Sequence, residues 1–568
     1  MIAAEETKKL SHNEDIKAAI PTLAGTIAAT IADETLDHFS HDDYEFLKFH
    51  GCYQQDDRDL RKTGKQYIMM VRSRVPGGVM NARQWKMFDQ LSAEYGNNTL
   101  RITTRQTIQF HGILKSNLRN VIQGINESLL STLAACGDVS RNVLAPPTPA
   151  YTNARKEVYA ACHQVALMLA PKTKAYHTIW VDGVQLNLEE ETNKRFVDPL
   201  YGQTYLPRKF KVAFAIPPSN DIDIFTNDVG FIAIAEHDRL IGYNVCVGGG
   251  MGRSHGNVKT YPRLADVIGF IPPDKVVDVA KAVLTIHRDF GDRADRKHAR
   301  FKYIVAERGV DWTRTEVETR ANVKLEPAKP YQFTTMGDIY DWHQATDGKW
   351  FLTLYVLTGR VKDVAGHAMK TALRQVAEKF TGLEFRLSAN QNVILANVDE
   401  ADKAAITALL NSHGVKTENQ ASILHAAAMA CPSLPTCGLG LAESERMLPG
   451  LIDRIEKLCD EVGLAGEEII IRSTGCPNGC ARPYMAELAF VGKAPGRYQV
   501  WLGGNVSGTR LNRIWKDVMQ ERDVETELRP VLVRYAKERN AGERFGDWCD
   551  RVFLNEPAVP PAKLVAAN

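Results

Sequence analysis

Four of the ten cysteines in this 568-residue sequence lie in two short loops. The first loop is Cys431-Pro-Ser-Leu-Pro-Thr-Cys437, and the second is Cys476-Pro-Asn-Gly-Cys480. Proline and glycine residues in and beside these loops allow the backbone to curl around a buried object. A thiolate is a soft anionic ligand, so four thiolates from two loops match what a 4Fe–4S cluster requires.

The spacing of these cysteines leaves three other interpretations open. Disulfides would need an oxidising compartment, which nothing in the sequence indicates. Zinc sites favour pairs separated by two to four residues, so the second loop fits zinc and the first does not. Inert buried thiols are also conceivable, but Cys476 and Cys480 stand among Pro, Asn and Gly and not in an apolar run. Spacing alone therefore favours an iron–sulfur cluster without excluding zinc.

A second chemical feature is a set of basic residues on two alternating segments. Residues 100–111 are β-branched and alternate in polarity, which predicts one strand. Alternate residues of a strand share a face, so the polar face would carry Arg101, Thr103, Arg105, Thr107, Gln109 and His111. Residues 206–216 alternate in the same way, with Lys209 and Lys211 on one face and Arg208 on the other. Such faces suit either a polyanion or solvent.

The elements that must position these residues occur twice in the chain. Residues 100–108 (LRITTRQTI) are echoed by residues 385–393 (FRLSANQNV), which keep the arginine and the glutamine in register. Each copy follows a strand-like and a helix-like segment. In the first copy, these segments are the strand 67–75 and the helix 81–94. Trp85, Phe88 and Leu91 of the predicted helix keep helical spacing. Residues 243–250 (YNVCVGGG) are echoed by residues 498–504 (YQVWLGG), so the sequence predicts two-fold pseudo-symmetry with the cysteine loops in the second half only.

Composition and charge narrow the possible classes of function. A length of 568 residues predicts two to four structural units, and a net charge of +2 gives no reason to expect a nucleic-acid or membrane partner. No apolar run reaches the length of a membrane span. Acidic residues stand near the N-terminus where an export signal would be basic, which predicts a cytoplasmic protein. The glycine cluster 248–252 lacks the last glycine of a dinucleotide-binding motif, so we expect no nicotinamide, flavin or ATP site.

The second cysteine loop carries a resemblance to a known family. The segment from Thr474 to Phe490 resembles the siroheme and iron–sulfur signature of the sulfite/nitrite reductase family, and every fixed position is met at Thr474, Gly475, Cys476, Cys480, Glu487, Leu488, Ala489 and Phe490. Cys431 and Cys437 match the family's other cysteine pair. The resemblance implies that all four cysteines hold one 4Fe–4S cluster. It also implies that Cys480 bridges the cluster to the iron of siroheme.

The same resemblance implies roles for the basic residues. The positions that match siroheme contacts are Arg101, Arg105, Gln109, His111, Arg208, Asn478 and Cys480. Siroheme carries many carboxylates, which guanidinium groups pair with in a bidentate manner. The positions that match the family's anion-binding set are Arg72, Arg141, Lys209 and Lys211. These cations would offset the desolvation of sulfite and supply protons.

The resemblance further implies the reaction and the partner. The run from Tyr53 to Asp59 is typical of the assimilatory branch, which reduces sulfite to sulfide by six electrons. Since the chain shows no flavin or NADPH motif, we expect electrons from an NADPH-oxidising flavoprotein in a hetero-oligomer, serving sulfate assimilation. A ferredoxin-dependent sulfite or nitrite reductase is the nearest alternative, and a zinc-stabilised binding module is an alternative of another class.

The expected fold is α+β, with ferredoxin-like halves and two related siroheme- and cluster-binding α/β modules. The expected divisions are an N-terminal arm that contacts the flavoprotein (1–65), a first ferredoxin-like half (66–145), a siroheme and substrate module (146–334), a second ferredoxin-like half (335–420) and a cluster and siroheme module (421–568).

Overall fold

The computed structural model describes residues 9–149, 152–173, 179–181, 184–186 and 196–555. The α-helices within these residues are His12–Ala19, Ile27–Ala32, His41–Phe49, Ala82–Glu94, Leu118–Glu127, Asn153–Met168, Val276–Phe290, Phe301–Arg308, Val310–Ala321, Met369–Lys379, Glu400–Ser412, Ile423–Ala426, Leu448–Glu461, Val524–Glu538 and Phe545–Trp548. Among the described helices, none combines the length and the apolar character that crossing a membrane would need.

The strands of the two halves are β1 Cys52–Asp56, β2 Tyr67–Arg72, β3 Val79–Asn81, β4 Leu100–Ile102, β5 Ile108–Ile113, β12 Asp341–Gln344, β13 Trp350–Leu354, β14 Arg360–Val361, β15 Asp363–Val364, β16 His367–Ala368, β17 Glu384–Leu387 and β18 Val393–Val398. The strands of the two modules are β6 Ile179–Val181, β7 Val184–Leu186, β8 Val212–Ala215, β9 Val229–Glu236, β10 Arg239–Val247, β11 Asp266–Ile271, β19 Met429–Ala430, β20 Ile471–Thr474, β21 Leu488–Ala494, β22 Arg497–Leu502 and β23 Arg513–Gln520.

Two antiparallel five-stranded sheets form the two halves, and each half lends one strand to the other. The first sheet has the order β1-β2-β5-β4-β14, and the second has the order β12-β13-β18-β17-β3. Strand β14 comes from the second half of the chain, whereas β3 comes from the first. A helix of each half covers the shared interface, where Trp85 stacks on Phe385 at 4.7 Å between ring centroids. The predicted two-fold pseudo-symmetry is therefore visible in the pairing of strands.

The two modules repeat a second pattern of strands. The first module has the sheet β11-β10-β9-β8, and the second has β19-β20-β21-β22-β23. In both sheets a parallel pair, β8 with β9 and β20 with β21, precedes antiparallel strands. Each parallel pair is joined through a short 3₁₀ turn, Ile224–Thr226 in the first module and Pro483–Met485 in the second. The predicted α+β class with paired halves and paired modules is confirmed.

The single strand predicted over residues 100–111 is wrong. The segment forms a hairpin, in which β4 pairs with β5 and Arg101 faces Gln109. A tight turn separates the strands because the Thr103 amide donates to Thr107 at 2.9 Å and Gln106 adopts a positive φ of 51°. Gln106 is held there by two hydrogen bonds between its side-chain amide and the backbone of Ala145. We call β4, this turn and β5 the first hairpin.

The echo of this segment folds in the same way. Strands β17 and β18 form the second hairpin, with Gln391 at a φ of 77°. Its side chain exchanges two hydrogen bonds with the backbone of Ala430, as Gln106 does with Ala145. The glutamine that the repeat preserves is thus a turn residue that joins each hairpin to the segment entering a module. Alternation missed the turn because neither copy contains a glycine or a proline.

The strand predicted over residues 206–216 is also shorter than expected. Only Val212–Ala215 is a strand, and Phe210 forms an isolated bridge to Ser140. Lys209 and Lys211 therefore lie in the loop that enters β8, so the shared strand face inferred for them does not exist. By contrast, the predicted helix is present as Ala82–Glu94, where Asn81 and Gln84 form a capping box.

The N-terminal segment 9–65 packs against the body of the protein. Lys17 is buried and donates to Glu14 at 2.6 Å and to the carbonyl of Leu206 at 2.9 Å. Further along, Arg58 donates to the carbonyls of Gly438 and Gly440, both at 2.6 Å. The segment therefore supports the loop that precedes Lys209 and the loop that contains Cys437.

Candidate functional site

The two cysteine loops begin at the carboxyl ends of neighbouring parallel strands. Strands β19 and β20 pair in register, with Ala430 opposite Ser473. Cys431 follows β19 directly, and Cys476 follows β20 after one glycine. Because parallel strands end at the same edge of a sheet, both loops leave the sheet side by side. The two motifs, 45 residues apart in sequence, are thereby brought together.

Backbone contacts fix the two loops to each other. The Gly475 amide donates to Cys431 Sγ at 3.4 Å, and the Gly475 carbonyl accepts from Leu441 at 2.7 Å. A side chain at Gly475 would place its Cβ 1.6 Å from Ser433 Oγ, so only glycine fits. Asn478 lies inside the second loop and donates to Cys476 Sγ at 3.4 Å. Donors aimed at sulfur stabilise a thiolate, which is the form that binds metal.

The four thiols share one electrostatic environment. Burial raises the pKa of Cys431 well above its usual value, and the charges of Cys480, Cys476 and Cys437 add to the shift. Burial also raises the pKa of Cys476 to about 12, followed by the effect of Cys480. Burial likewise raises the pKa of Cys437. Cys431, Cys437 and Cys476 therefore need a nearby positive centre to act as thiolate ligands, which iron ions in a cluster supply. The donor set therefore fits an iron–sulfur cluster.

A single metal ion fits these cysteines less well. Within the described residues, no three His, Cys, Asp or Glu side chains come close enough together to hold one ion. All ten cysteines are free thiols. A cubane spreads its ligands over four iron corners, so its cysteines stand farther apart than those of a zinc site.

Cys480 differs from the other three cysteines because its side chain is exposed. Its carbonyl accepts a hydrogen bond of 2.8 Å from the hydroxyl of Thr104, which lies in the turn of the first hairpin. Burial acts to lower the pKa of both Arg72 and Lys209, and the charge of Cys480 is one of the influences that oppose this lowering. Cys480 therefore lies close to the predicted anion-binding residues. We call the region that Arg72, Arg141, Lys209 and Lys211 share with Arg105 and Arg208 the cationic cleft.

Three cations near Cys480 have no side-chain partner of any kind within the described residues. Lys209, Lys211 and Arg208 form no side-chain hydrogen bond or salt bridge there. Burial lowers the pKa of Lys209 to about 7 and that of Arg208 to about 10, and Arg300 and other neighbouring cations contribute. Burial also lowers the pKa of Lys211 well below its usual value, with help from Arg105. Uncompensated, partly buried cations need an external anion.

The remaining cations of the cleft are held by neutral groups. Arg105 donates to Asn227 Oδ1 at 3.0 Å and to the Val212 carbonyl at 2.8 Å, while its Nε has no partner. Arg141 donates from Nε to the Gly137 carbonyl at 2.9 Å. Arg72 donates to Cys136 Sγ at 3.2 Å. With its amide oriented so that the oxygen accepts, Gln109 receives a bond of 3.0 Å from Arg72 Nε.

Tyr53 was missed as a lining residue by sequence reasoning. The Arg72 guanidinium lies 6.0 Å from the centre of its ring. Burial raises the pKa of Tyr53 to about 12, whereas the charges of Arg141, Arg72 and Arg208 act to lower it. The phenol therefore lies among the cations of the cleft. The sequence signal was its place at the start of the Tyr53–Asp59 run.

His111 and Arg101 lie behind the cleft surface. Both ring nitrogens of His111 are buried without a partner, and burial lowers the pKa of this histidine well below 6.5, so the ring is neutral. Arg101 is fully buried and donates to Glu445 at 3.0 Å and to the Ala430 carbonyl at 2.8 Å. It thus holds the residue before Cys431, and its direct contact with siroheme stays a prediction. Glu445 also binds Arg360, at 2.7 and 2.9 Å.

Replacing Glu445 tests the importance of this ion cluster. We expect Glu445→Gln to lower the free energy of unfolding by about 3 to 5 kcal/mol at pH 7, because two largely buried guanidinium groups lose their anion. Burial would raise the pKa of Glu445, but Arg101 and Arg360 outweigh it and lower the pKa to about 2. The contribution is therefore complete above pH 4.5 and is lost as the pH falls towards 2.

The measurement is the thermal midpoint of both proteins as a function of pH. The gap between wild type and Glu445→Gln should narrow on acidification below about pH 4.5. Glu443→Gln is the matched control, since Glu443 pairs with Arg446, whose side chain is half exposed. A control effect as large as that of Glu445→Gln would contradict the prediction.

The glycine cluster 248–252 contacts the second cysteine loop. A Cβ at Gly252 would lie 3.2 Å from the carbonyl oxygen of Asn478, and the Arg253 amide donates to the Pro477 carbonyl at 3.0 Å. A Cβ at Gly249 would lie 2.1 Å from the Phe225 carbonyl oxygen. Gly252 therefore allows the backbones of the two modules to approach closely, and Gly249 allows close packing within the first module. Sequence reasoning excluded the nucleotide site but did not find this role.

Comparison with known proteins agrees with this architecture. The protein-family model described as "nitrite/sulfite reductase ferredoxin-like half domain" matches residues 61–128 and 343–413. A second family model, described as "nitrite and sulphite reductase 4Fe-4S domain", matches residues 163–325. A relative from Staphylococcus saprophyticus is 48% identical over 96% of each chain, and one from Myxococcus xanthus is 46% identical over 98% of this chain and 99% of its own. The chain belongs to the nitrite and sulphite reductase family.

Both relatives carry the name sulfite reductase (NADPH) hemoprotein beta-component. The solved structure of the Mycobacterium tuberculosis NirA protein has the same fold, with a TM-score of 0.78 at 23% identity over 96% of this chain and 97% of that chain. Family membership confirms the predicted enzyme class and the predicted cofactors, a 4Fe–4S cluster and siroheme.

The internal repeat explains why the 4Fe–4S model matches residues 163–325, which do not contain the four cysteines. Those residues lie in the first module, whereas the cysteine loops lie in the second module, which repeats the fold of the first. The signature carboxylate Glu487 shows the equivalence, since it binds Arg544 at 2.8 Å as Asp228 of the first module binds Arg300 at 3.0 Å. The glutamate in the signature is thus fully buried and structural.

Proposed function

We propose that this chain reduces sulfite to sulfide by six electrons at a siroheme coupled to a 4Fe–4S cluster held by Cys431, Cys437, Cys476 and Cys480. The observation that carries this proposal is the group of cations in the cationic cleft that have no anionic partner within the described residues, close to the exposed Cys480. Similarity over nearly the whole chain, at 46 to 48% identity, to proteins named sulfite reductase supports it.

The bound cofactors would supply an open iron position for the substrate and electrons delivered one at a time. The chain's own residues would supply charge and protons. Arg72, Arg141, Lys209 and Lys211 would bind the oxygen atoms of the anion. Since burial brings the pKa of Lys209 to about 7, this lysine can attract an anion and also give up a proton near neutral pH.

Siroheme carboxylates would be bound by the remaining basic and polar residues. Arg105 and Arg208 fit this role because, in the part of the chain that the structure describes, neither pairs with a carboxylate. His111 fits because both of its ring nitrogens lack partners there. Gln109, Arg101 and Asn478 complete the proposed set, with Arg101 and Asn478 acting from the side of the cluster loops.

We also propose the wider context of the reaction. The name "beta-component" of the relatives supports an alpha-component partner, for which we propose an NADPH-oxidising flavoprotein that contacts residues 1–65. The activity would serve sulfate assimilation in the cytoplasm. The proposed divisions of the chain are 1–65, 66–145, 146–334, 335–420 and 421–568, although strand β1 of the first segment pairs with β2 in the sheet of the first half.

One absorption spectrum with an iron and sulfide count tests the cofactors. The purified protein should show the strong Soret and red bands of siroheme, with about five iron atoms and four acid-labile sulfides per chain. Zinc without iron, or a protein without these bands, would overturn the proposal.

The electron donor needs a separate measurement. Sulfide production should require NADPH together with the flavoprotein, and reduced ferredoxin should be a poor substitute. Efficient turnover with ferredoxin alone would favour the alternative branch of the family and overturn the proposed partner.

A further inference from the structure

A buried ion cluster joins the two modules. One of its members, Arg482, lies two residues after Cys480 in the sequence. Arg482 donates from Nε to Asp223 Oδ2 at 2.5 Å, and Arg472 donates to the same oxygen at 2.7 Å. The three side chains are 6%, 0% and 1% exposed, respectively. Asp223 belongs to the first module and both arginines to the second, so the contact crosses the interface between the modules.

Asp223 and Arg482 occupy equivalent positions of the internal repeat. Each precedes the 3₁₀ turn that joins the parallel strands of its module. Each also adopts a left-handed backbone, with φ values of 50° and 52°. This conformation is uncommon for residues other than glycine, so surrounding contacts must hold it. The repeat thus places an acid and a base at matching positions, where they bind each other.

The other nitrogens of Arg482 contact the turns of both hairpins. Nη1 donates to the Thr104 carbonyl at 3.1 Å, and Nη2 donates to the Ala389 carbonyl at 3.1 Å. Thr104 in turn donates from its hydroxyl to the Cys480 carbonyl. One guanidinium therefore connects the first module and both halves to the loop that contains Cys480.

We propose that the Asp223–Arg482 pair is a positioning device that fixes Cys480 relative to the siroheme-binding face. The inference rests on the proposed function, because a cysteine that joins two cofactors must be placed accurately with respect to both. The exposed side chain of Cys480 has no hydrogen bond within the described residues. The place of its sulfur therefore depends on the backbone, which Arg482 and Thr104 hold.

A purely stabilising role explains the cluster less well. Asp223 Oδ1 and Arg472 Nε are buried without a partner in the described residues. Incompletely paired buried charges are often no more stable than apolar residues of similar volume. The cluster of Asp223, Arg472 and Arg482 is explained if its role is to fix the position of the Cys480 loop and not to stabilise the fold.

The test compares Asp223→Asn and Arg482→Lys with the wild-type holoenzyme. Asp89→Asn is the matched control, because Asp89 binds Lys370 at 2.8 Å in another buried ion pair that joins the two halves. We expect both test variants to keep their siroheme and iron content. Their siroheme electron paramagnetic resonance signal should become heterogeneous and their turnover about tenfold slower, as for other outer contacts of metal sites. The control should lose thermal stability alone.

Unchanged resonance signals in Asp223→Asn and Arg482→Lys would overturn the inference. If Asp223→Asn fails to bind cofactors, amide hydrogen exchange in Arg482→Lys is the deciding measurement. Exchange rates at residues 101–108 and 476–482 equal to those of wild type would then overturn the inference. Failure of the proposed function is recognised separately, because wild type itself would then lack siroheme and cluster.

Discussion

Cys480→Ser should abolish most of the sulfite reductase activity while the protein stays folded. Serine offers a harder oxygen ligand than a thiolate and matches iron in a cluster poorly. Cys480 is also the exposed cysteine of the four and lies close to the cationic cleft, so its loss removes the contact between the two proposed cofactor sites. We expect turnover to fall by more than about 100-fold, beyond the 10- to 100-fold that loss of an outer contact typically costs.

The measurement is turnover with a chemical electron donor, together with the absorption spectrum and the iron count. Cys459→Ser is the control, since Cys459 is a buried free thiol of the same module on the helix Leu448–Glu461. It should lose some stability and keep its activity. Wild-type turnover in Cys480→Ser would refute the assignment of this cysteine.

Much of the fold could be predicted because the chain repeats itself. The echo of residues 100–108 at 385–393 indicated two related halves, and the helix Ala82–Glu94 followed from the spacing of Trp85 and Phe88. The exchange of β3 and β14 between the halves could not be predicted. These strands have three and two residues, and their partners lie hundreds of residues away, so no local periodicity marks them.

The two wrong strands have a common physical cause. Residues 100–111 alternate in polarity, yet the turn at Gln106 is stabilised by a contact to Ala145, 39 residues away. Lys211 lies in a loop because its amide donates to Asp228 instead of a neighbouring strand. Tertiary hydrogen bonds overrode local pattern in both cases.

Some residues of the candidate site could be predicted from the sequence, and others could not. The cysteines were singled out from residue type and spacing, because soft ligands are rare in sequence, whereas the lysines were predicted from the family resemblance and a strand face that does not exist. Glu445, Arg360 and Arg482 were not predicted, because a single charged residue is usually a solvated surface group. Only the fold shows that these residues are buried beside Cys431 and Cys480.

Lys209→Met should weaken sulfite binding and leave the cofactor spectrum nearly unchanged. The ammonium group has no anionic partner within the described residues, so its removal leaves no protein carboxylate unpaired. A hydrogen bond to a charged group contributes about 1.5 to 3 kcal/mol, which corresponds to an increase in KM of about 10- to 150-fold. Lys209→Arg keeps the charge and should recover part of the affinity.

Steady-state kinetics at several sulfite concentrations, with the spectrum of each variant, separate the two roles that Lys209 could have. Lys297→Met is a suitable control, because Lys297 is exposed on a loop and its side chain forms no hydrogen bond or salt bridge within the described residues. Loss of the siroheme bands in Lys209→Met would mean that this lysine holds the cofactor, whereas a fall in kcat at unchanged KM would make it a proton donor that does not bind the substrate. If the positive charge of Lys209 acts on the anion before any bond to oxygen is broken, Lys209→Met should raise KM alone. Lys209→Arg should then partly restore the wild-type KM.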